Sequence, residues 1–325
     1  MTNNLPLDTE YAYGKPSARA KFRTELLDFI VVEQLGFELA DEGEHLCLEI
    51  KKRGENTQWV ADKLAKFLNV KSMDVGFCGM KDRHAETTQW FSVYLPREPE
   101  DTDWNRFKTL FELDVEILRK TRHTKKLRRG AHQGNAFKIC LRDLLQQETL
   151  EERLRKISEH GVPNYFGEQR FGRGGNNLTM AHRWLVDGET IRNRSKRSMA
   201  MSAARSYLFN LVLSERVKQN NWFKNVDGDV VENGCATAPL WGRGRSKSTG
   251  AALALETEAL APFSTWCDQL EHVGLHQERR SLQLMPKDFC WDWQDSSLTL
   301  SFVLPPGQFA TSVLREICLL DNQSH

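Results

Sequence analysis

One short loop carries the residues of this sequence that are best suited to chemistry. The stretch 76–90, "GFCGMKDRHAETTQW", begins with two glycines that allow a tight turn and then places Asp82 between Lys81 and Arg83. Cationic neighbours favour the ionised form of a carboxylate, which can then act as a nucleophile or a base. The loop therefore predicts either a reactive Asp82 or an aspartate that only stabilises a turn, as aspartates often do.

The same loop offers a second kind of chemistry. Asp82, His84 and Glu86 alternate, and alternate residues of a strand lie on one face. Carboxylate and imidazole groups together can bind a divalent metal ion. A metal-dependent hydrolase is therefore one hypothesis, and a solvated strand entrance is the simpler reading of the same three residues.

A basic block follows the loop. No acidic residue occurs from Ile117 to Arg142, so this segment makes a local positive field although the net charge of the chain is only +1. The block ends in "GAHQGNAF", where Asn135 and Phe137 supply an amide and a ring. Charge for phosphates, a ring for stacking and an amide for base edges are typical of RNA binding, while a solvated surface is the alternative. The candidate RNA-binding cations here are Arg119, Lys120, Arg122, Lys125, Lys126, Arg128 and Arg129.

A second candidate binding segment spans 164–177, "NYFGEQRFGRGGNN". Aromatic residues and glycines alternate in it with Arg170 and Arg173. Rings and guanidinium groups on a glycine-rich backbone can be presented to RNA. The alternative is a packed loop between domains whose aromatic residues are core.

Local patterns predict the elements that must position these residues. Strands are indicated in "DFIVVEQL", "HLCLEIKK", "TQWFSVYLP" and "NAFKICLRDL". The segment "NTQWVADKLAKFLNV" predicts a helix capped by Asn56 or Thr57. Its apolar face is expected to contain Trp59, Val60, Leu64, Phe67 and Leu68.

The later part of the chain has a different character. "TLEERLRKISEHG" predicts a helix with a capping box from Thr149 to Glu152 and a left-handed C-cap at Gly161. "SMAMSAARSYLFNLVLSERVKQ" predicts a long helix, and "SLTLSFVLPPGQFATSVLREI" predicts a strand, a turn and a short helix. Strands early and late with helices between them favour an α+β core that is interrupted by an insertion.

Length and composition set the outer limits. A chain of 325 residues predicts about two domains, and its 40% hydrophobic and 27% charged residues are typical of globular proteins. No apolar run is long enough to span a membrane. Seven scattered cysteines without a CxxC pair predict reduced thiols and a cytoplasmic location.

Several segments together resemble one known family, the TruD family of tRNA pseudouridine synthases. "GMKDRHAETTQW" is similar to the G-x-K-D-x-x-A-x-T-x-Q loop of that family. "DFIVVE", "KKRGENTQWVADKLAKFL", "GNAF", "VPNYFGEQRFGRGGNN", "SAARSYLFN" and "LPPGQFATSVLREI" agree with it in the same order. The resemblance covers nearly the whole chain, and a series of ordered motifs is more specific than any one of them.

The resemblance implies an α+β architecture and a function. The fold would be a pseudouridine synthase core, a mixed and mainly antiparallel sheet with flanking helices, made of residues 1–157 and 285–325. A family-specific α/β domain would be inserted at 158–284. The implied activity is isomerisation of uridine-13 of tRNA to pseudouridine, without cofactor or metal, by a monomer that needs no obligate protein partner. A non-catalytic RNA-binding protein is the alternative.

The resemblance also implies roles for single residues. Asp82 matches the catalytic aspartate of the family, and Phe137 matches the ring that stacks on the target base, with Asn135 beside it. Arg23 occupies the place of a basic residue that would pair with Asp82, while Lys81 and Arg83 are expected to contact substrate. Asp82 could attack C1′ or C6, or act as a base toward a glycal, and all three routes stay open.

Overall fold

The computed structural model describes residues 5–97, 99 and 102–322. The chain forms two compact units. The sheet unit comprises the described residues of Ser17–Glu148, Pro286–Gly307 and Cys318–His325, and the helical unit those of Met1–Pro16, Thr149–Met285 and Gln308–Ile317. The expected domain limits at 157/158 and 284/285 stay a prediction about evolutionary domains, whereas these units follow from contacts.

Ten of the fifteen described strands belong to the sheet unit, and the other five, between residues 162 and 284, belong to the helical unit. In chain order the strands are β1 Arg19–Phe22, β2 Phe29–Gln34, β3 His45–Arg53, β4 Val75–Phe77, β5 Glu86–Tyr94, β6 Val115–His123, β7 Gly134–Leu145, β8 Val162–Pro163, β9 Val231–Glu232, β10 Cys235–Leu240, β11 Glu278–Ser281, β12 Gln283–Leu284, β13 Lys287–Gln294, β14 Ser297–Leu304 and β15 Leu319–Asn322. The four strands predicted before residue 150 are confirmed, and β6 shows that the basic block itself begins in a strand.

Six of the eight described α-helices belong to the helical unit, and the other two, before residue 149, belong to the sheet unit. The α-helices are α1 Thr57–Phe67, α2 Trp104–Phe111, α3 Leu150–His160, α4 Asn176–Leu185, α5 Arg194–Lys218, α6 Gly250–Leu260, α7 Ser264–Glu271 and α8 Ala310–Ile317. Short 3₁₀ turns occupy Leu26–Asp28, Ser72–Asp74, Glu168–Phe171, Arg173–Gly175 and Ala261–Phe263. The long α5 and the short α8 agree with the sequence pattern.

One large sheet organises the sheet unit. Its central order is β13-β14-β7-β2-β5-β3-β6, with β1 beside β7, β15 beside β1 and β4 beside β5. Among the described strands, β2 and β5 pair in parallel, as do β1 and β15, and the other pairings of this sheet are antiparallel. The sheet is therefore mixed and mainly antiparallel, as expected.

Alternation on β3 explains how α1 is held. Leu46, Leu48 and Ile50 are buried and form a core with Val60 and Leu64 of α1. Burial of such side chains contributes roughly 1.5–3 kcal/mol each. At the start of the helix, the Asn56 side chain accepts hydrogen bonds from the backbone N–H groups of the next turn, so the predicted cap is confirmed.

One expectation for α1 is wrong. Trp59 is 50% exposed and does not join the buried face, which contains Thr57, Val60, Ala61, Leu64 and Ala65. The helix is rotated relative to the predicted face because two small alanines pack inward. A large ring is thereby left on the surface.

The start and end of α3 also differ in detail from the pattern. Thr149 is the N-cap, but its side chain accepts no hydrogen bond, so the predicted capping box is not formed. Gly161 ends the helix at φ 70° with an extended ψ of −149°, rather than in the left-handed helical conformation. A side chain there would meet the carbonyl oxygen of Leu284 at 2.2 Å, so glycine is needed for close packing as well as for its φ.

The helical unit has its own core. Phe171, Tyr207, Phe209 and Trp266 are buried there among residues of α4, α5, α6 and α7. Within the described residues, no helix is long and apolar enough to cross a membrane.

Candidate active site

The starts of two parallel strands bring the candidate residues together. β2 and β5 pair so that Ile30 lies opposite Glu86. The Asp82 loop enters β5 at this point, and the segment that follows β1 enters β2 at the same edge. Arg23 and Phe29 are therefore placed next to Asp82, although the sequence separates them by more than fifty residues.

Buried polar contacts fix the Asp82 loop. The hydroxyl of Thr57 accepts the backbone N–H of Lys81 at 2.9 Å and donates to Gln89 at 2.8 Å. Gln89 in turn donates to the carbonyl of Gly79 at 3.2 Å. Hydrogen bonds between buried groups rigidify a loop because breaking one leaves an unpaired polar atom. The backbone around Asp82 is thus held by the first turn of α1 and by β5.

Asp82 is paired on one oxygen and open to solvent. Its Oδ2 accepts a hydrogen bond from Arg23 Nη2, and its Oδ1 accepts the backbone N–H of His84 at 3.2 Å. The Asp82 side chain is 29% exposed, and the Arg23 side chain only 8%. Arg23 and the backbone N–H of His84 thus fix the orientation of the carboxylate, and its exposed part is available to a reactant.

Arg23 is held in an uncommon backbone conformation. Its φ is 61°, in a region where residues other than glycine cost about 1–3 kcal/mol unless the surroundings hold them. The guanidinium carbon lies 4.8 Å from the centroid of the Phe22 ring and 4.4 Å from that of Phe29. These rings and the Asp82 carboxylate hold the guanidinium in place. Strain of this kind is common at functional sites.

Lys52 lies beneath the loop and was not found by the sequence analysis. It is completely buried, and its Nζ donates to the carbonyl of Glu55 at 2.6 Å and lies 3.5 Å from the carbonyl oxygen of Asp82. Burial lowers the pKa of Lys52 to about 8, and the Asp82 carboxylate opposes that shift. A signal was present in the sequence, because Lys52 continues the buried alternation of Leu46, Leu48 and Ile50.

Lys81 does not face Asp82, contrary to the idea that it flanks the carboxylate as a cation. Its Nζ donates to Glu33 at 2.6 Å, and the exposed fractions of the two side chains are 5% and 0%. The other oxygen of Glu33 accepts the backbone N–H of Trp90 at 3.1 Å. The pair is closed and links β2, β5 and the loop.

Phe137 continues the aromatic strip that begins under Arg23. Its ring centroid lies 6.0 Å from that of Phe29 and 5.4 Å from that of Phe302, with which it stacks at 27°. Phe137 is half-buried, whereas Phe29 and Phe302 are buried. One part of the ring is therefore supported by the core and another part is accessible.

Asn135 lies on the same side of β7 as Phe137, since the two are separated by one residue. Its Nδ2 is 3.2 Å from Nε2 of His132. Burial, and then the charge of Lys81, lower the pKa of His132, so that the ring is neutral and can accept this hydrogen bond. The buried atoms Oδ1 of Asn135 and Nε of Arg23 have no hydrogen-bond partner among the described residues.

The three residues of the metal hypothesis are not brought together. His84 contacts Asp82 through its backbone, and Glu86 accepts a hydrogen bond from Arg53 Nε at 2.6 Å. In the described part of the chain, no group of three or more His, Cys, Asp or Glu side chains could hold a metal ion. β5 begins only at Glu86, so the assumption that all three alternate on one strand is wrong.

The other predicted cations divide into two groups. In the basic block, Arg122 donates to the carbonyl of Leu95 at 2.6 Å and Lys126 donates to that of Met73, so these two also support the backbone. The exposed members of the block are Arg119, Lys120, Lys125, Arg128 and Arg129. These five lie on β6 and in the following loop, and they are called the cationic surface below.

Arg170 and Arg173 belong to the helical unit. Arg170 donates to the Ser202 hydroxyl at 3.2 Å and lies 5.3 Å from the Phe166 ring centroid, and burial lowers its pKa. Arg173 is exposed at the start of a short 3₁₀ turn. The aromatic residues Tyr165, Phe166 and Phe171 of the same segment are core, as the alternative reading of this segment proposed.

Comparison with known proteins defines the class of this fold. The chain superposes on a crystal structure from Methanosarcina mazei, provisionally assigned as tRNA pseudouridine synthase D, with a TM-score of 0.71, 21% identity and coverage of 95% of both chains. The fold is therefore the α+β pseudouridine synthase fold.

Sequence comparison defines the family. The model of the family "tRNA pseudouridine synthase D (TruD)" matches residues 8–194 and 232–317. The tRNA pseudouridine synthase D of Cellvibrio japonicus is 49% identical over 98% of this chain and 95% of its own length. That of Aeromonas hydrophila is 44% identical over 97% and 95%. The chain belongs to the tRNA pseudouridine synthase D family.

Proposed function

We propose that this protein is a tRNA pseudouridine synthase that isomerises uridine-13, with Asp82 as its catalytic carboxylate. The observation that carries the proposal is the partly exposed Asp82 carboxylate, held by Arg23 at one end of an aromatic strip. Membership of the family supports the activity, and the position of the target uridine is the finer part of the proposal.

The reaction requires three changes in the uridine. The bond from N1 to ribose C1′ breaks, the uracil rotates, and a bond forms between C5 and C1′. The C5 proton is lost and N1 gains a proton, so product and substrate are isomers. All atoms that are exchanged come from the substrate or from water.

The target base must first leave its stack in the RNA. Extrusion costs a few kcal/mol, and an aromatic ring that stacks on the base returns about 1–3 kcal/mol. The accessible part of Phe137 is the proposed stacking surface, because contacts with Phe29 and Phe302 hold the ring in place. The same surface supports the uracil while it is detached and rotates.

Asp82 then acts on the sugar or on the base. As a nucleophile it attacks C1′ or C6, and as a base it removes a ribose proton and gives a glycal. In each route the carboxylate starts as an anion, which Arg23 and the backbone N–H of His84 stabilise. Lys52 is a positioning residue in this scheme, because it holds the carbonyl of Asp82 rather than the carboxylate.

The cationic surface is proposed to bind the tRNA and to take no part in the isomerisation. Phosphate contacts dominate the affinity of proteins for nucleic acids and make it sensitive to salt. The exposed cations of β6 and the following loop are proposed to bind the tRNA backbone, together with Arg83, Arg170 and Arg173.

The proposal extends to organisation and location. Residues 1–157 and 285–325 would form the catalytic domain and residues 158–284 the inserted domain, and the protein would act as a monomer without a cofactor or an obligate protein partner. A cytoplasmic location is also proposed, because all seven cysteines are free thiols and thiols stay reduced in the cytoplasm.

The experiment uses an unmodified tRNA transcript with uridine at position 13 and a matched transcript with cytidine there. After incubation with the protein, pseudouridine is mapped by chemical labelling and primer extension. The expected result is one pseudouridine at position 13 of the first transcript and none in the second. Modification at another position would contradict the site, and salt-sensitive binding without any pseudouridine would favour the non-catalytic alternative.

A further inference from the structure

A surface cavity adjoins the Asp82 loop. Its volume is about 590 Å³, and it is lined by Glu55, Asn56, Gln58, Trp59, Asp62 and Arg83. These residues belong to the sheet unit and come from the connection between β3 and α1, from the first turns of α1, and from the loop itself. Apart from Arg83, none of them has a place in the proposed chemistry.

Hydrogen bonds connect the backbone that lines the cavity to the backbone at Asp82. Lys52 Nζ contacts the carbonyl of Glu55, which lines the cavity, and also approaches the carbonyl of Asp82. Arg83, the residue after Asp82, donates from its Nε to the carbonyl of Gly54 at 3.0 Å. A group in this cavity is therefore held in a fixed relation to a substrate at Asp82.

Trp59 gives the cavity a flat aromatic wall. The ring is half exposed although α1 packs on the sheet without it. Lys63 Nζ lies 3.9 Å from the ring centroid but does not line the cavity, so the ring turns a different part of its surface to the cavity. Exposed aromatic rings next to cations are the usual platforms on which bases of single-stranded RNA stack.

The charges around the cavity exclude one kind of occupant and favour another. Glu55 and Asp62 are both carboxylates, and Gln58 Nε2 donates to Asp62 Oδ1 at 3.1 Å and so orients it. The two carboxylates outnumber the one cation of the lining, Arg83, so a phosphate inside the cavity is disfavoured. They accept hydrogen bonds from the exocyclic amino groups of bases, as carboxylates do from cytosine N4.

We infer that this cavity binds one nucleobase of the substrate RNA, next to the target uridine in the chain. The base stacks on Trp59 and donates an exocyclic amino group to Glu55 or Asp62, so that uracil, which has no such group, fits less well. The inference rests on the proposed function and adds to it a contact through which the enzyme reads a nucleotide that it does not modify.

The test measures pseudouridine formation by the wild type, Trp59→Ala, Trp59→Phe and the control Tyr94→Ala. Tyr94 is also an exposed aromatic residue of the sheet unit, 41% exposed, and does not line the cavity. Loss of one base stack should lower kcat/KM of Trp59→Ala by roughly 5- to 150-fold. Trp59→Phe retains a ring and should keep most of the activity, and Tyr94→Ala should match the wild type.

Abasic substrates then identify the base. Each nucleotide beside the target is replaced in turn by an abasic one, and kcat/KM is measured with wild type and Trp59→Ala. At one position the replacement should slow the wild type at least as much as Trp59→Ala does, and it should slow Trp59→Ala by a clearly smaller factor than the wild type, because the variant has already lost the stacking part of the contact. Equal losses in the two proteins at every position, or full activity of Trp59→Ala, would overturn the inference while leaving the synthase activity intact. A wild type that makes no pseudouridine at all would instead refute the proposed function, and this inference with it.

Discussion

Lys81 and Asp82 are neighbours in the sequence, yet their side chains take part in two very different ion pairs. Lys81 and Glu33 are 5% and 0% exposed, and the second oxygen of Glu33 is also hydrogen-bonded. In the pair of Arg23 with Asp82 the carboxylate is 29% exposed, and Nε of the buried arginine has no partner among the described residues. The first pair is closed to solvent, whereas the second leaves part of the Asp82 carboxylate accessible to a substrate.

Within one loop, the first pair therefore has a structural role, and the second is the candidate for a role in the reaction. A buried pair whose bonds are all satisfied gains nothing from a ligand, but it fixes the backbone on which its partners lie. The turn between the two residues directs Lys81 inward and leaves Asp82 at the surface. We therefore expect substitutions in the first pair to change mainly stability and those in the second to change mainly turnover.

The largest effect on stability is expected for Lys81→Met. Removal of one partner of a buried pair leaves Glu33 uncompensated, which destabilises a protein by about 3–5 kcal/mol. The measurement is the free energy of unfolding in denaturant. Arg23→Met is the matched control, because it removes the cation of the other pair while Asp82 keeps contact with water, and its free energy should fall by only about 1 kcal/mol. Equal losses in the two variants would remove the distinction between the pairs.

Lys52→Met should slow turnover with little change in tRNA binding. The ammonium group positions the Asp82 backbone, and misplacement of a reacting group costs roughly 10- to 100-fold in rate. KM and kcat, measured separately at neutral pH, check this. A higher KM with an unchanged kcat would contradict a positioning role.

The same variant should change the pH dependence of stability. In the folded protein the pKa of Lys52 is about 8, against an ordinary value of 10.5. The cost of burying this cation is present below pH 8 and is relieved as the pH rises to 10.5, since the folded state releases the proton first. The wild type should therefore gain roughly 3 kcal/mol relative to Lys52→Met across this window. A parallel pH dependence in both proteins would show that Lys52 does not titrate there.

Phe137→Ala is expected to have an effect of similar size on kcat/KM. One base stack contributes about 1–3 kcal/mol, so kcat/KM should fall by roughly 5- to 150-fold. Affinity for tRNA depends on many phosphate contacts and should change little. Loss of tRNA binding with intact chemistry would contradict the stacking role of this ring.

The smallest effect is expected at the cationic surface. Lys125→Ala and Arg128→Ala should each weaken tRNA binding in a similar way for all sequences and lower the slope of log K against log salt by about 1 or less. Lys126→Ala, at a cation that is bound to a backbone carbonyl, is the comparison. Binding of the wild type that is insensitive to salt would exclude this surface as an RNA site.

Much of the fold could be predicted from local patterns, since alternation in β2, β3 and β7 and the helical periodicity of α1 and α5 are properties of neighbouring residues. The orientation of α1 could not, because Trp59 and the alanines compete for the core and only packing against β3 decides between them. The unformed capping box at Thr149 shows that a suitable pair of residue types does not ensure the hydrogen bonds.

Only part of the candidate site could be predicted from the sequence, namely Asp82, Phe137 and the pairing of Arg23 with Asp82. Asp82 and Phe137 came from motifs, whereas the partners of the loop depend on contacts across the sheet. Glu33 meets Lys81 because β2 lies beside β5, and Lys52 reaches Asp82 from β3. No spacing in the sequence encodes which of two adjacent side chains will turn inward.

The central claim is that the Asp82 carboxylate drives the isomerisation, and tritium release from tRNA labelled at uracil C5 tests it most directly. Asp82→Asn keeps the size of the side chain and removes its charge, so the variant should bind tRNA as the wild type does and release tritium at least roughly 10²–10⁴-fold more slowly. Tritium release by Asp82→Asn at the wild-type rate would contradict the account.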